Sequence, residues 1–437
     1  LSVARFDRAV VMGGSMAGLL AARVLAGHAR EVVVLERDAF PDAIAHRKGT
    51  PHARHTHVLL GAGRRTLDRL FPGFTDELCA AGAVLGDALG EVRRFLGGGY
   101  HALAPSDVRT LYASRPMIEA HVRARVRALP NVTLRGEAPV RGLAWSADGA
   151  RVTGVVLDGD GSTLDADIVL DATGRGSRAV AWLAERGYEA PVEERVECGG
   201  AYATRRFRAS PGLLDGLKAV IVPPAPGRLR GAVLAAQEHG TWTLSLMAMG
   251  GERPPAEPAT FAAFADGLPA PEIGTLVREA EPLDEIVTAT FPTNVRRRFD
   301  RLARFPERFV VLGDAICCFN PMYGQGMSVA ALEATALEET LAEPGDAALG
   351  PRYFRRAAPA LEAPWLLAAG NDLRLTRPDA PVSRKTRFLR WYMDRLHVAA
   401  RTDVTVARAF LMVAGLVAPP ASLLRPATAR RVLLRFG

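Results

Sequence analysis

One stretch near the start limits the fold more than any other: Gly13-Gly14-Ser15-Met16-Ala17-Gly18, set between two apolar runs. Residues 9–12 (Ala-Val-Val-Met) read as a short buried strand, and Met16, Leu19, Leu20 and Val24 then repeat at helical spacing up to a stop at Gly27. Glu31-Val-Val-Val-Leu-Glu36 follows, with the β-branched run of a buried parallel strand. Strand, glycine turn, helix and strand together are the context that a dinucleotide fingerprint requires. Gly13 permits the tight turn, the small Ser15 lets backbone amides approach a pyrophosphate, and Gly18 lets helix and strand pack closely. The phosphates would sit at the helix N-terminus, opening at Met16 and Ala17, where unpaired N–H groups and the dipole favour an anion. Glu36, ending the second strand, is placed to take both hydroxyls of a ribose.

At 437 residues the chain is too long for one core, so two or three closely packed subdomains are expected. A net charge of +8 raises nucleic acid as a partner, but the basic residues are scattered arginines with only Lys48, Lys218 and Lys385 as lysines. No basic block interleaved with aromatics appears, so no nucleic-acid partner is expected. A solvated basic surface, with a weak attraction to acidic substrate or anionic lipid, is the reading. Cys79, Cys198, Cys317 and Cys318 form neither a disulfide framework nor a zinc pattern, so no metal is expected and a reducing cytoplasm fits. The first strand begins within ten residues of Leu1, so no signal peptide is read. Ala409–Leu424 is uncharged, but it is short and broken by Pro419-Pro420. It reads as a helix, a turn and a second helix rather than a membrane span, with peripheral docking a minor alternative.

Further along, residues 40–65 are loop-like and carry three clustered histidines at 52, 55 and 57, ahead of a helix over 58–70 and another over 115–129. Strands are expected at 132–135, 139–146, 152–157 and 167–171. Strand-like segments at 196–207, 218–223, 231–236 and 241–249 predict a mostly antiparallel sheet. Helices at 260–266 and 271–280 lead to strands at 285–291 and 309–313, and an alanine-rich helix covers 326–341. The last eighty residues read as amphipathic, arginine-rich helices.

The second motif lies some 300 residues after the first: Val311-Leu-Gly-Asp-Ala315, then Pro321-Met-Tyr-Gly-Gln-Gly-Met327. Asp314 can bind a ribitol or ribose hydroxyl, and amides over Gly324, Gln325, Gly326 and Met327 can face an electron-rich ring edge. Both motifs together, with Glu36-Arg37 between them, resemble the class A FAD-dependent monooxygenases, the family of para-hydroxybenzoate hydroxylase and squalene epoxidase. Residues 51–60 (Pro-His-Ala-Arg-His-Thr-His-Val-Leu-Leu), Leu70-Phe-Pro-Gly73, Trp391-Tyr392 and Leu423–Pro426 look closer to an actinobacterial branch that includes polyene epoxidases.

The resemblance implies an α/β fold: a Rossmann-type FAD-binding domain over 1–190 and 284–345, an inserted substrate-binding sheet domain over 191–283, and a C-terminal helical region over 346–437. It implies that Arg54 and Arg115 lie along the FAD pyrophosphate and ribose, Val140 at the adenine, and Asp314 on the ribityl chain. Pro321, Gly324 and Gly326 would flank the isoalloxazine ring. The family's middle motif departs here, since Asp171-Ala172-Thr173-Gly174 carries alanine where glycine is usual. Asp171 and Gly174 are kept as cofactor candidates, while direct reduction by NAD(P)H is set against supply from a partner flavin reductase. Trp242, Met247, Met249, Phe291 and Phe319 are the substrate-cavity candidates for an apolar small molecule.

The expected chemistry is epoxidation or hydroxylation of a polyene, polyketide or terpenoid with O2 through a flavin C4a-hydroperoxide. No acid/base pair is identifiable, which favours an alkene over a phenol. The alternatives are a halogenase, a non-redox cyclase and an isoprenoid reductase. Trp-x-Trp is absent and the lysines are poorly placed, which counts against halogenation. His52, His55 and His57 lack further nearby ligands and read as crevice-lining or loop-bonding residues; Cys317 and Cys318 read as small buried ones.

Overall fold

The computed structural model describes residues 4–345 and 347–434. A five-stranded parallel sheet runs in the order Phe309–Val311, Ile168–Asp171, β1 (Phe6–Met12), β2 (Ala29–Leu35), Val132–Arg135. β1 and β2 each carry two charged residues after their first position, Asp7-Arg8 and Arg30-Glu31, and are apolar from there on, because helices cover both faces of that stretch. Ala9, Val10 and Val11 of β1 are fully buried, as are Val32 and Val34 of β2. Helix α1 (Met16–Leu25) joins β1 to β2 and packs on the helices Arg115–Arg127 and Gly326–Ala342. A smaller antiparallel sheet, Val140–Trp145, Val152–Leu157 and Thr163–Asp165, is inserted before the strand that ends on Asp171.

The second large sheet runs Cys317–Cys318, Val287–Arg297, Glu193–Arg208, Thr241–Ala248, Arg230–Ala236, Ala219–Val222, Val92–Leu96, Gly99–Tyr100. Its pairs are antiparallel except that Ala219–Val222 lies parallel to Val92–Leu96. The expected limits of 191–283 for this sheet are therefore too narrow. Strands before and after that span complete it, and the parallel pair, which joins Val92 to Ala219 across the sequence, leaves no local signature.

Alternation along each strand gives the sheet two unlike faces. Leu244 and Leu246 pack into a core with the helices Pro258–Asp266 and Pro271–Glu279, while Ser245 and Met247 of the same strand look onto a cleft between the two sheets. The C-terminal helices Leu349–Thr376, Arg384–Ala400 and Val404–Ala414 wall one side of that cleft, and a fourth, Pro426–Leu434, packs behind them. The last three share a core with Ala88, Leu89 and Val108. In the uncharged segment, the second helix proves to be a short 3-10 turn, Pro420–Leu424, and the next full helix starts at Pro426. No described helix is long and apolar enough to cross a membrane.

Candidate cofactor and substrate cleft

The turn between β1 and α1 forms one wall of the cleft. Gly13 has φ of +99°, and a Cβ there would lie 2.4 Å from the Ala172 carbonyl oxygen. A Cβ on Gly18 would lie 1.8 Å from the Gly13 oxygen, so Gly18 is required for packing and does not itself line the cleft. Ser15 is the N-cap of α1, yet its hydroxyl donates to Glu119 Oε2 (2.7 Å) instead of capping the helix. The first N–H groups of α1 are thus left for an anion.

A buried charge network sits behind this turn. Glu36 Oε2 accepts from the Gly14 amide (3.0 Å) and from Arg47 (3.1 Å). Arg47 also donates to Glu119 (2.8 Å), and Arg115 donates to Ser15 Oγ (2.8 Å) and His52 Nε2 (3.2 Å). Burial opposes ionisation of Glu119, but Arg115 and Arg47 outweigh it and hold its carboxyl below the usual range. Arg47 and Glu119 escaped the sequence reading because their partners lie 11 and 72 residues away, with no motif linking them.

The opposite wall is built by the second motif. Gly313 (φ +69°) abuts the first, since a Cβ there would come within 2.8 Å of Ala17 Cβ. Its amide donates to Glu333 Oε1 (3.0 Å), a carboxyl that burial pushes up to about 7. Asp314 opens onto the cleft but is ringed by protein, and this burial raises its carboxyl pKa against the pull of Arg115 and Arg175. Gly324 takes φ of +64°, and the helix Gly326–Ala342 begins at the cleft with no side chain capping its first amides. Among the described residues, Gln325 Oε1 is buried there without a hydrogen-bond partner.

The loop before that helix is tied down from behind. Tyr202 donates to Asn320 Oδ1, and the Asn320 amide donates to Asn294 (2.7 Å). Asp372, from the helix Leu349–Thr376, accepts from Asn294 (2.8 Å), Asn320 (3.0 Å) and Tyr323 (2.7 Å).

Of the sequence candidates, Gly13, Ser15, Met16, Ala17, Glu36, Arg37, Arg54, Arg115, Val140, Gly174, Asp314, Pro321, Gly324, Gln325, Gly326 and Met327 line this one cleft. Gly14 and Gly18 stand behind it. Asp171 is not a lining residue either: it is fully buried, and it accepts from Thr173 Oγ1 (2.5 Å), the Thr173 amide (2.9 Å) and Ser177 Oγ (2.6 Å). Its carboxylate shapes the 171–177 turn and is spent on the protein. Among the cavity candidates Met247, Phe291 and Phe319 line the cleft. Met249 packs behind them with Cys198 and Tyr202, and Trp242 faces the other side of the sheet. Their spacing along the strand contained this: Trp242 and Met247 are five apart and so fall on opposite faces.

All three clustered histidines line the cleft. His57 Nδ1 bonds the His55 carbonyl (2.8 Å) and His55 Nδ1 bonds Thr204 Oγ1 (2.7 Å). Burial lowers His57 to about 3 and His55 to about 4, and, with Arg115 adding to it, takes His52 well below its ordinary value. All are neutral at pH 7. No cluster that could hold a metal occurs among the described residues. Burial also raises the Cys317 and Cys318 thiols, so neither is a thiolate. Lys48 does line the cleft, whereas Lys218 and Lys385 do not.

Two open helix N-termini, an acidic strand end, facing arginines and a turn with no room for a Cβ suit a ligand with a central pyrophosphate, a ribose and an electron-rich ring. The cleft measures about 1810 Å³, against roughly 300–1,000 Å³ for an ordinary single-ligand pocket. It has room for two molecules.

The fold is one that several flavin-dependent enzymes of known structure share. PqsL of Pseudomonas aeruginosa, described as a probable FAD-dependent monooxygenase, matches with a TM-score of 0.66 at 16% identity over 85% of this chain and 97% of that one. The p-nitrophenol 4-monooxygenase PnpA of Pseudomonas putida matches with a TM-score of 0.65 at 19% identity, over 94% and 98%. The flavin-dependent brominase Bmp2 shares the fold with a TM-score of 0.64 at 15% identity, over 99% and 98%. No family model matches the chain. In sequence the chain belongs to the family of Protein Rv3254 of Mycobacterium tuberculosis, to which it is 35% identical over 429 residues, covering 93% of this chain and 88% of the relative.

Proposed function

We propose that the chain is an FAD-dependent monooxygenase that adds one oxygen atom from O2 to an apolar small molecule, by epoxidation in preference to hydroxylation. The observation that carries this is one large cleft, in which the dinucleotide turn, the Pro321–Met327 loop and the apolar sheet face at Met247 and Phe291 meet. Bound FAD supplies the oxygen activation. The chain's own part is to hold and to exclude. The α1 N-terminus and Arg115 take the pyrophosphate, Glu36 accepts from a ribose hydroxyl, and Asp314 holds a ribityl hydroxyl. The amides opening the helix Gly326–Ala342 favour negative charge on the ring, and Met247, Phe291 and Phe319 keep water from it.

The lining histidines, at about 3 and 4, are too weakly basic to ionise a phenol. Epoxidation of an alkene needs no such base, which favours a polyene, polyketide or terpenoid substrate. Reducing equivalents come from NAD(P)H directly or through a partner flavin reductase; the altered Asp171–Gly174 turn favours the second. Lys48 in the cleft supports halogenation as a second reading.

Product formation under 18-O2 tests the proposal. Incorporation of one labelled oxygen, without bromide or chloride, is expected. Turnover that persists without O2 would instead indicate a reductase or a non-redox cyclase, and halide-dependent turnover a halogenase.

A further inference from the structure

The part of the cleft walled by Val92–Leu96, Arg109–Tyr112 and the C-terminal helices contains a charge that nothing yet described uses. Arg94 lines the cleft, as do the apolar side chains of Met393, Phe410 and Leu411. Its Nη1 donates to the carbonyls of Ala88 and Val92 (3.2 Å to the latter). Its Nε and Nη2 have no hydrogen-bond partner, and no carboxylate pairs with it, among the described residues. Asp87, whose charge it feels, is taken by Ser106 and the Leu89 amide.

Asp87 attracts that charge from beyond contact distance, and the other groups nearby add no further anion. His397 lines the cleft, stacks on His101 with centroids 5.4 Å apart, and has an unpartnered Nδ1. Burial takes the two rings to about 4 and 3, so they are neutral and do not compete for an anion. Asp394 is neutralised by a two-point pair with Arg374 (2.9 and 2.7 Å). Arg390, on the same lining helix, makes no ion pair among the described residues. Arg94 is half-buried at the cleft wall, and a guanidinium partly withdrawn from water gains from a counter-charge that meets its free edge. Nε and Nη2 form one of the two edges on which arginine takes a carboxylate bidentately.

We propose that Arg94 is the carboxylate-recognition residue for the substrate, so that the molecule oxidised is an amphipathic acid with an apolar body. This rests on the monooxygenase reading for the word "substrate", but the binding site itself does not.

Calorimetric titration of the FAD-loaded protein with octanoate, decanoate and trans-cinnamate, each beside its primary amide, tests it. At least one acid is expected to bind about tenfold or more tightly than its amide, the scale of charge-assisted hydrogen bonding. Arg94→Gln should remove that preference while leaving flavin absorbance and melting temperature in place, and Arg94→Lys should keep part of it. Acids that bind no more tightly than amides, or a preference that survives Arg94→Gln, would overturn the proposal. So would loss of NADPH affinity in Arg94→Gln with the acid preference intact. Should the protein take up no FAD, the same titration on the flavin-free chain still reads Arg94, so the two failures are distinguishable.

Discussion

The dinucleotide end of the cleft and its roofed end are built by different means. At the first, the groups are mostly backbone amides in two short turns, residues 13–18 and 313–327, that abut through Gly313 and Ala17. At the second they are side chains from distant segments: Arg94, Met247, Phe291 and His397. A glycine turn does its work through spacing along the chain, whereas a side-chain wall exists only after the sheets have assembled. The dinucleotide end is therefore written locally and the roofed end is not.

The largest effect should follow from disturbing the backbone end. Gly18→Val drives a side chain into the Gly13 carbonyl and should destabilise the chain by about 3 kcal/mol or more. Gly176→Ala, with open space around it, should stay within about 0.5 kcal/mol. Paired urea denaturations compare them, and similar midpoints would break the contrast.

Glu119→Ala takes from Arg47 one of its two buried carboxylate partners and leaves it only Glu36. Breaking a buried ion pair from one side costs about 3–5 kcal/mol, again read by urea denaturation. Flavin content should fall with it, because Ser15 and Arg115 lose their shared anchor.

Glu333 gives a pH signature. Burial raises its carboxyl from 4.5 to about 7, so the folded chain holds a proton that the unfolded chain has released between those values. Its contribution to stability is complete below pH 4.5 and is lost as the pH rises through 7. Glu333→Gln keeps an acceptor for the Gly313 amide and cannot ionise. Its melting temperature relative to the parent should climb between pH 5 and 8, by the equivalent of about 3 kcal/mol at most. A flat difference across that range would sink this assignment.

The smallest effects separate the two faces of one strand. Trp242→Ala should cost about 2 kcal/mol of stability, since it removes half-buried apolar surface from the helix-covered face. It should leave the KM for substrate unchanged. Met247→Ala should do the reverse, raising KM several-fold with a smaller change in melting temperature. Equal effects on KM would mean that the two residues do not face different sides.

The same contrast explains what the sequence allowed. The β1–α1–β2 unit and the helix from Gly326 were legible because their hydrophobic periods and glycine stops are local. The joining of Val92–Leu96 to Ala219–Val222 was not, since parallel pairing carries no turn signature. Asp171 was read as a cofactor ligand from its place in a motif, but Thr173 and Ser177, two and six residues on, satisfy its oxygens. Arg94 sits in a strand whose arginines at 93 and 94 look alike in sequence. Only the fold pairs Arg93 with Glu272 and leaves Arg94 at the cleft.

The central claim is that two helix N-termini in one cleft hold FAD. Titration of FAD into flavin-stripped protein, followed by flavin fluorescence, tests it most directly. One FAD bound per chain, far more tightly than FMN, is the expected result, because the α1 turn and Glu36 need a pyrophosphate and an adenosine ribose. Equal affinity for FMN, or no binding of FAD, would contradict the account.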